Sequence, residues 1–226
     1  MSQGARKTHQ SRSRATRDKL VHALEALLAE KDFAEIGVSE IAAKAGVSSA
    51  SIYRRFDKKN GFIPVLFDLY LDRLAEWSAR PEAQLHVEGL SLRSALKTLA
   101  KTAWRQIEDH AHIMRAVFLH GRRHPEMLAE RTKAFEASTL CGMQQLVRLY
   151  DKEINRSDAD KTARMLAYYF NSILIEKGLF GDEAADFGST LTGEDFAVEI
   201  AEFAYGYLIT PEESETSDEP TDKSSN

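Results

Sequence analysis

Residues 37–56, GVSEIAAKAGVSSASIYRRF, read as two very short helices joined by a tight turn. Ile41, Ala42 and Ala45 give the first helix an apolar edge at helical spacing. Gly46 falls where a helix ends in a left-handed residue, a conformation that costs glycine little. Val47 then plugs inward, and Ser48 is a good N-cap for the second helix. At about 100° per residue, Ile52 and Phe56 share one stripe of that helix and pack on the first. Ala50, Ser51 and Arg54 project the other way, with Ser49 and Tyr53 on one flank and Arg55 on the other.

The outward set is small, hydroxylated or basic, which suits a helix N-terminus entering the major groove of DNA. Serine can bond base edges, an alanine methyl can meet a thymine methyl, and arginine can reach guanine or phosphate. The competing reading is an αα-hairpin at an ordinary protein surface. The residue set Ile41-Ala42, Ala45-Gly46-Val47-Ser48, Ile52-Tyr53, Phe56 and Lys59 resembles the DNA-binding signature of the tetracycline-repressor (TetR) family, over roughly residues 15–77. The resemblance implies an all-α protein: a three-helix helix-turn-helix domain, then a helical ligand-binding and dimerisation domain. It also implies DNA contacts from Ser48, Ser49, Ala50, Ser51, Tyr53, Arg54, Arg55, Lys58 and Lys59. Gly37 stands where the family usually has threonine or serine as a cap, so Ser39 is the candidate for that phosphate contact.

Composition bounds the alternatives. The chain has 226 residues, is 43% hydrophobic and 29% charged, and has no apolar run long enough for a membrane span. The N-terminus is basic and polar without a secretory signal, so a cytoplasmic location is expected. The single cysteine, Cys141, excludes an intramolecular disulfide and reads as a small core residue. The net charge of −5 is segregated: residues 1–60 carry 12 Lys+Arg and 7 Asp+Glu, hence +5, which leaves −10 for the rest. Phosphate attraction therefore belongs to the N-terminal part.

Taken in order, residues 1–14 form a polar basic arm expected to lack structure. Residues 15–60 make the DNA-binding domain, whose first helix carries Leu20, Leu24, Leu27 and Leu28 on one stripe, with Phe33 and Ile36 behind. Residues 61–80 are a connecting helix with a clean stripe from Phe62 to Trp77, in which only Arg73 is out of character. Pro64 belongs in a first helical turn, so that helix begins near Asn60 or Phe62 rather than at Lys59. A domain boundary falls within Arg80–Gly89.

Residues 81–209 are read as helical throughout. A helix over Leu92–Ile107 precedes a short one from Ile113 that stops at Gly121, and another opens at Pro125. Ser157 with Asp160 suggests a capping box ahead of a helix that is apolar nearly all round. Thr192 caps the last helix, which carries a large stripe (Phe196, Ile200, Phe203, Tyr207) beside a small one (Ala197, Ala201, Ala204, Leu208). The helices at 157–180 and 192–208 look like the pair through which TetR-type regulators form homodimers. Residues 210–226 are an acidic tail expected to lack structure.

The resemblance further implies an unknown small-molecule effector in the second domain. Trp104, Met114, Phe118, Met143, Tyr169 and Asn171 are the candidate wall residues, a mix suited to an apolar or aromatic molecule. His110, His112, His120 and His124 lie near one another in sequence, but no carboxylate or cysteine completes a metal set. No cofactor is implied. No nucleophile elbow, phosphate loop or acid/base pair points to an enzyme. The expected function is a homodimeric transcriptional repressor that binds double-stranded operator DNA and is released by its effector. A helical adaptor protein is the alternative, with an enzyme behind it.

Overall fold

The computed structural model describes residues 3–56, 58–79, 89–181, 191 and 193–212, with side chains from residue 14 onward. The described residues form helices only. In order they are α1 (Gln3–Leu28), α2 (Val38–Ala45), α3 (Ser49–Tyr53), a 3-10 turn (Lys59–Gly61), α4 (Phe62–Ser78), α5 (Leu92–Asp109) and α6 (Ala111–Arg123). A second 3-10 turn (Pro125–Met127) leads into α7 (Ala129–Leu149), α8 (Ala159–Phe180) and α9 (Gly193–Ile209).

One apolar core runs through the chain. Leu20, Leu24, Ile36, Ile41, Ile52, Phe62 and Leu66 are buried at its N-terminal end. The core continues through Leu92, Leu96, Ala100 and Ile113 to Leu166, Leu174 and Leu208. Helix α5 packs along α9, α8 packs on α7 and α5, and α6 lies against α4 and α1. Helices α2 and α3 are thus held on the rest of the chain through α1, α4 and α6.

Several expectations are corrected. Helix α1 begins at Gln3 rather than Ala15, so the arm is not without structure. From Ala5 to Arg14 there is neither glycine nor proline to stop a helix growing back from its packed half. Helix α3 ends at Tyr53, three residues short of Phe56, although the Phe56 amide still donates to the Ile52 carbonyl at 2.9 Å. Phe56 is nonetheless buried, because the chain turns and stacks its ring on Phe62 with centroids 3.9 Å apart. Gly121 does not stop α6. Its missing side chain lets Leu128 approach, since a Cβ there would lie 2.8 Å from a Leu128 methyl carbon.

The cap of α8 is Asp158 rather than Ser157: its carboxylate accepts from the Lys161 amide at 2.9 Å. Ser157 instead donates its hydroxyl to Glu212. Cys141 is exposed, not core. Helix α7 turns Met143, Leu146 and Val147 inward and leaves Cys141 on the opposite side, near Gln145. Pro64 does lie in the first turn of a helix that starts at Phe62, after the 3-10 turn. Residues 80–88 of the expected domain boundary, the Thr192 cap and residues 213–226 of the tail lie outside the described residues.

Candidate nucleic-acid interface

The hairpin is built from local chemistry. Gly37 caps α2 with an extended backbone, and its amide donates to the Glu40 carboxylate at 3.4 Å, as in half of a capping box. Ion pairs Lys31–Glu40 (2.6 Å) and Lys44–Glu30 (3.0 Å) fasten α2 to the end of α1. Gly46 closes α2 with φ 65°, ψ 36°, and the Gly46 and Val47 amides donate back to Ala43 and Ala42. That left-handed residue redirects the chain within two residues, so α3 starts immediately and stands off the body of the protein.

Helix α3 buries Ile52 and presents the rest. Ser39, Ser48, Ala50, Tyr53, Arg54 and Lys58 are exposed, whereas Ser49, Ser51, Arg55 and Lys59 are half-buried. Ser48 occupies the cap position, but its hydroxyl makes no capping bond; its oxygen lies 3.1 Å from that of Ser51. Arg54 donates to the same Ser51 hydroxyl at 3.1 Å. Ser48, Ser51 and Arg54 therefore form one hydrogen-bonded row along the outer face, and it holds the guanidinium near the helix. Arg55 turns back and donates to the Ser51 carbonyl at 2.9 Å.

Lys58 and Lys59, adjacent in sequence, are used differently. Lys59 folds inward: its ammonium lies 4.5 Å from the centre of the Phe33 ring and donates to the Ala34 carbonyl at 3.2 Å. Burial lowers its pKa, partly offset by Glu40. Lys58 is exposed.

The residues that tie this hairpin to the second domain were not legible in the sequence. Arg73 of α4 makes a two-pronged pair with Glu25 of α1 at 2.5 and 2.9 Å, and His112 of α6 stands 3.5 Å from the same carboxylate. Burial would raise the Glu25 carboxyl, but Arg73 and His112 outweigh it and hold it below its ordinary value. Arg131 of α7 grips Asp68 of α4 at 2.5 and 2.8 Å, and Arg115 of α6 reaches Asp32 at 3.5 Å. Each pair joins helices distant in sequence. The one available signal was Arg73, a charge on an otherwise apolar stripe.

The expected effector residues differ in burial. Met114 and Met143 are core, Phe118 and Asn171 are half-buried, and Tyr169 donates to the Ile200 carbonyl at 3.3 Å. Trp104 alone of the set lines a large cavity, described below. Among the described residues, no group of three histidine, cysteine or acidic side chains could hold a metal ion. No described helix is long and apolar enough to cross a membrane.

A short helical hairpin with a hydroxylated, basic outer row, carried on an all-helical body, defines a helix-turn-helix DNA-binding protein. Residues 20–64 match the family model of the bacterial regulatory proteins, tetR family. The match covers this N-terminal segment, which is therefore a TetR-type DNA-binding domain. A search of curated proteins finds no match. Among solved structures, the fold is similar to a candidate TetR-family transcriptional regulator from Mesorhizobium loti. That pair is 20% identical with a TM-score of 0.61, covering 86% of this chain and 95% of that one. It is also similar to NalD, the secondary repressor of the MexAB-OprM multidrug efflux pump in Pseudomonas aeruginosa, at 18% identity, TM-score 0.57 and coverage of 88% and 98%. The fatty acid degradation regulator FadR from Bacillus halodurans is 18% identical with a TM-score of 0.59, covering 84% of this chain and 95% of that chain.

Proposed function

We propose that this chain is a cytoplasmic, homodimeric repressor that reads an operator through α3 and leaves it when a small molecule binds. The observation that carries the reading is the outer row of exposed Ser48, Ala50 and Arg54 with half-buried Ser51 between them, and Tyr53 (58% exposed) beside it on the hairpin. Ser51 and Arg54 face the bases, while Tyr53, Arg55, Lys58 and Ser39 hold phosphates. Lys59 contributes mainly by fixing the 3-10 turn to Phe33 and Ala34, and less as a phosphate ligand.

Dimerisation through α8 and α9 is supported by the apolar groups they leave uncovered. Tyr168 and Phe203 are each 71% exposed, and Met165 is 46% exposed. Two copies joined there read half-sites one helical turn, or a multiple, apart. NalD, similar in fold, is named as a repressor, which favours repression over activation.

The test is a mobility shift on DNA upstream of the chain's own gene, repeated over a salt series with Arg54→Ala and Tyr53→Phe. Arg54→Ala is expected to weaken binding by about 1–3 kcal/mol and relax base preference. Tyr53→Phe weakens it less and evenly across sequences. Unchanged affinity in both variants would refute the assigned face, and no shift at low salt would favour the adaptor reading.

A further inference from the structure

We propose that the seam between the DNA-binding helices and the helices behind them is a binding site for a small organic acid with an apolar body. We further infer that this is where the effector acts, a clause that rests on the regulatory reading above. A cavity of about 750 Å³ opens there, in the size range of small-molecule sites. Leu28 and the following turn of the DNA-binding domain form one wall. Trp104 of α5, Arg115 of α6 and the end of α8 form the others.

Two features give the cavity its chemistry. Trp104 is 6% exposed, and its indole nitrogen is buried with no hydrogen-bond partner among the described residues. An indole N–H can only donate, and buried donors almost always have an acceptor. Gly193 lies beside the indole, where a Cβ would sit 3.9 Å from that nitrogen.

The second feature is how charge is layered. The acids on the cavity wall, Glu30, Asp32, Glu35 and Glu108, are exposed, whereas Arg115 and Lys177 are half-buried. The inner surface therefore offers donors and positive charge, and the outer rim is negative. A carboxylate that passes the rim accepts from the indole N–H and from the Arg115 guanidinium. A cation would meet two half-buried positive groups and be repelled.

Arg115 also explains how occupancy reaches the DNA. It pairs with Asp32 on the turn after α1 and donates to the Leu179 carbonyl at the end of α8. A bound acid competes with Asp32 for the guanidinium and loosens one tie between α6 and the DNA-binding domain. Its differential affinity for the loosened arrangement is what shifts the population off the operator.

Trp77 and Trp104 are the chain's tryptophans, so Trp77→Phe leaves Trp104 as the single fluorescent reporter. The dimer carrying that change is titrated with octanoate, decanoate and 4-phenylbutyrate, and with their methyl esters. The site predicts a saturable change in Trp104 emission for at least one acid, with the ester at least about tenfold weaker. Ala29→Phe, at an exposed wall position that leaves the core untouched, should abolish the response, and Arg115→Gln should weaken it. No response to any acid up to millimolar concentration overturns the site, as does equal binding of acid and ester or an unaffected Ala29→Phe variant. Operator binding is measured in the same solutions. Release without any Trp104 response overturns the seam and leaves the regulatory reading standing. A Trp104 response without release keeps the site and overturns its role as effector site.

Discussion

The α2–α3 hairpin and the α8–α9 pair both leave a row of side chains uncovered, with opposite chemistry. On the hairpin the row is Ser48, Ala50, Ser51 and Arg54, whose polar groups bond to one another in the free protein and are easily hydrated. On α8 and α9 it is Met165, Tyr168 and Phe203, large apolar groups that gain nothing from water. The first surface waits for a polar, charged partner and tolerates exposure in the meantime. The second is better matched by something equally apolar, which the proposed pairing with the same face of a second copy would supply.

The sharpest way to break this comparison is to place a charge in the apolar row. Phe203→Glu should leave the monomer folded, since Phe203 projects into solvent rather than into the core. The dimer should weaken by about 2–4 kcal/mol, as for a central aromatic at an interface. Sedimentation at micromolar concentration reads this directly, and operator affinity should fall in parallel. A variant that stays dimeric would remove α8–α9 as the interface and leave the hairpin reading intact.

The hairpin was legible in the sequence because its turn, its cap position and its main buried contacts lie within twenty residues. Gly46 must take a left-handed backbone, Ser48 follows at a cap position, and Ile41 and Ile52 supply the buried contacts. The seam behind it was not legible, because its members meet only in the folded chain. Arg73 finds Glu25 across 48 residues and Arg131 finds Asp68 across 63, and no periodicity encodes such pairings. The length of α3 was misread for a related reason. Phe56 keeps helical spacing from Ile52, yet its burial is decided by Phe62 in the next element. The sequence pattern records that Phe56 is buried, but not by which route.

A smaller effect separates backbone strain from packing. Gly46 and Gly142 each have open space where a Cβ would point, so adding a methyl group clashes with nothing at either site. At Gly46 φ is 65°, and Gly46→Ala should cost about 1–2 kcal/mol from the left-handed backbone alone. Gly142 lies inside α7, and Gly142→Ala should stabilise by about 0.5–1 kcal/mol through helix propensity. Thermal unfolding of the two variants should therefore shift in opposite directions. If both lower the melting temperature, then Gly142 serves a packing role that this fold does not contain.

The smallest expected effect is a pH dependence at the contact between α6 and the DNA-binding domain. His120 sets its ring edge-on to Phe33, with centroids 4.7 Å apart. Burial lowers its pKa, reinforced by the positive charges of Lys59 and Arg123 and by His124. The folded protein thus holds His120 neutral where the unfolded chain would still take a proton near the ordinary value of 6.5. Stability from this group is present above that value and is lost as pH falls through the lower, folded value. Glu25, also lowered, keeps its contribution above the ordinary carboxylate value of 4.5 and loses it as pH falls through its own lower, folded value. His120→Phe keeps the ring contact with Phe33 but cannot take a proton. Its melting temperature should fall less than that of the parent as pH drops from about 7. If the two curves run parallel over that fall in pH, His120 is titrating freely, and the seam is looser at Phe33 than its geometry indicates.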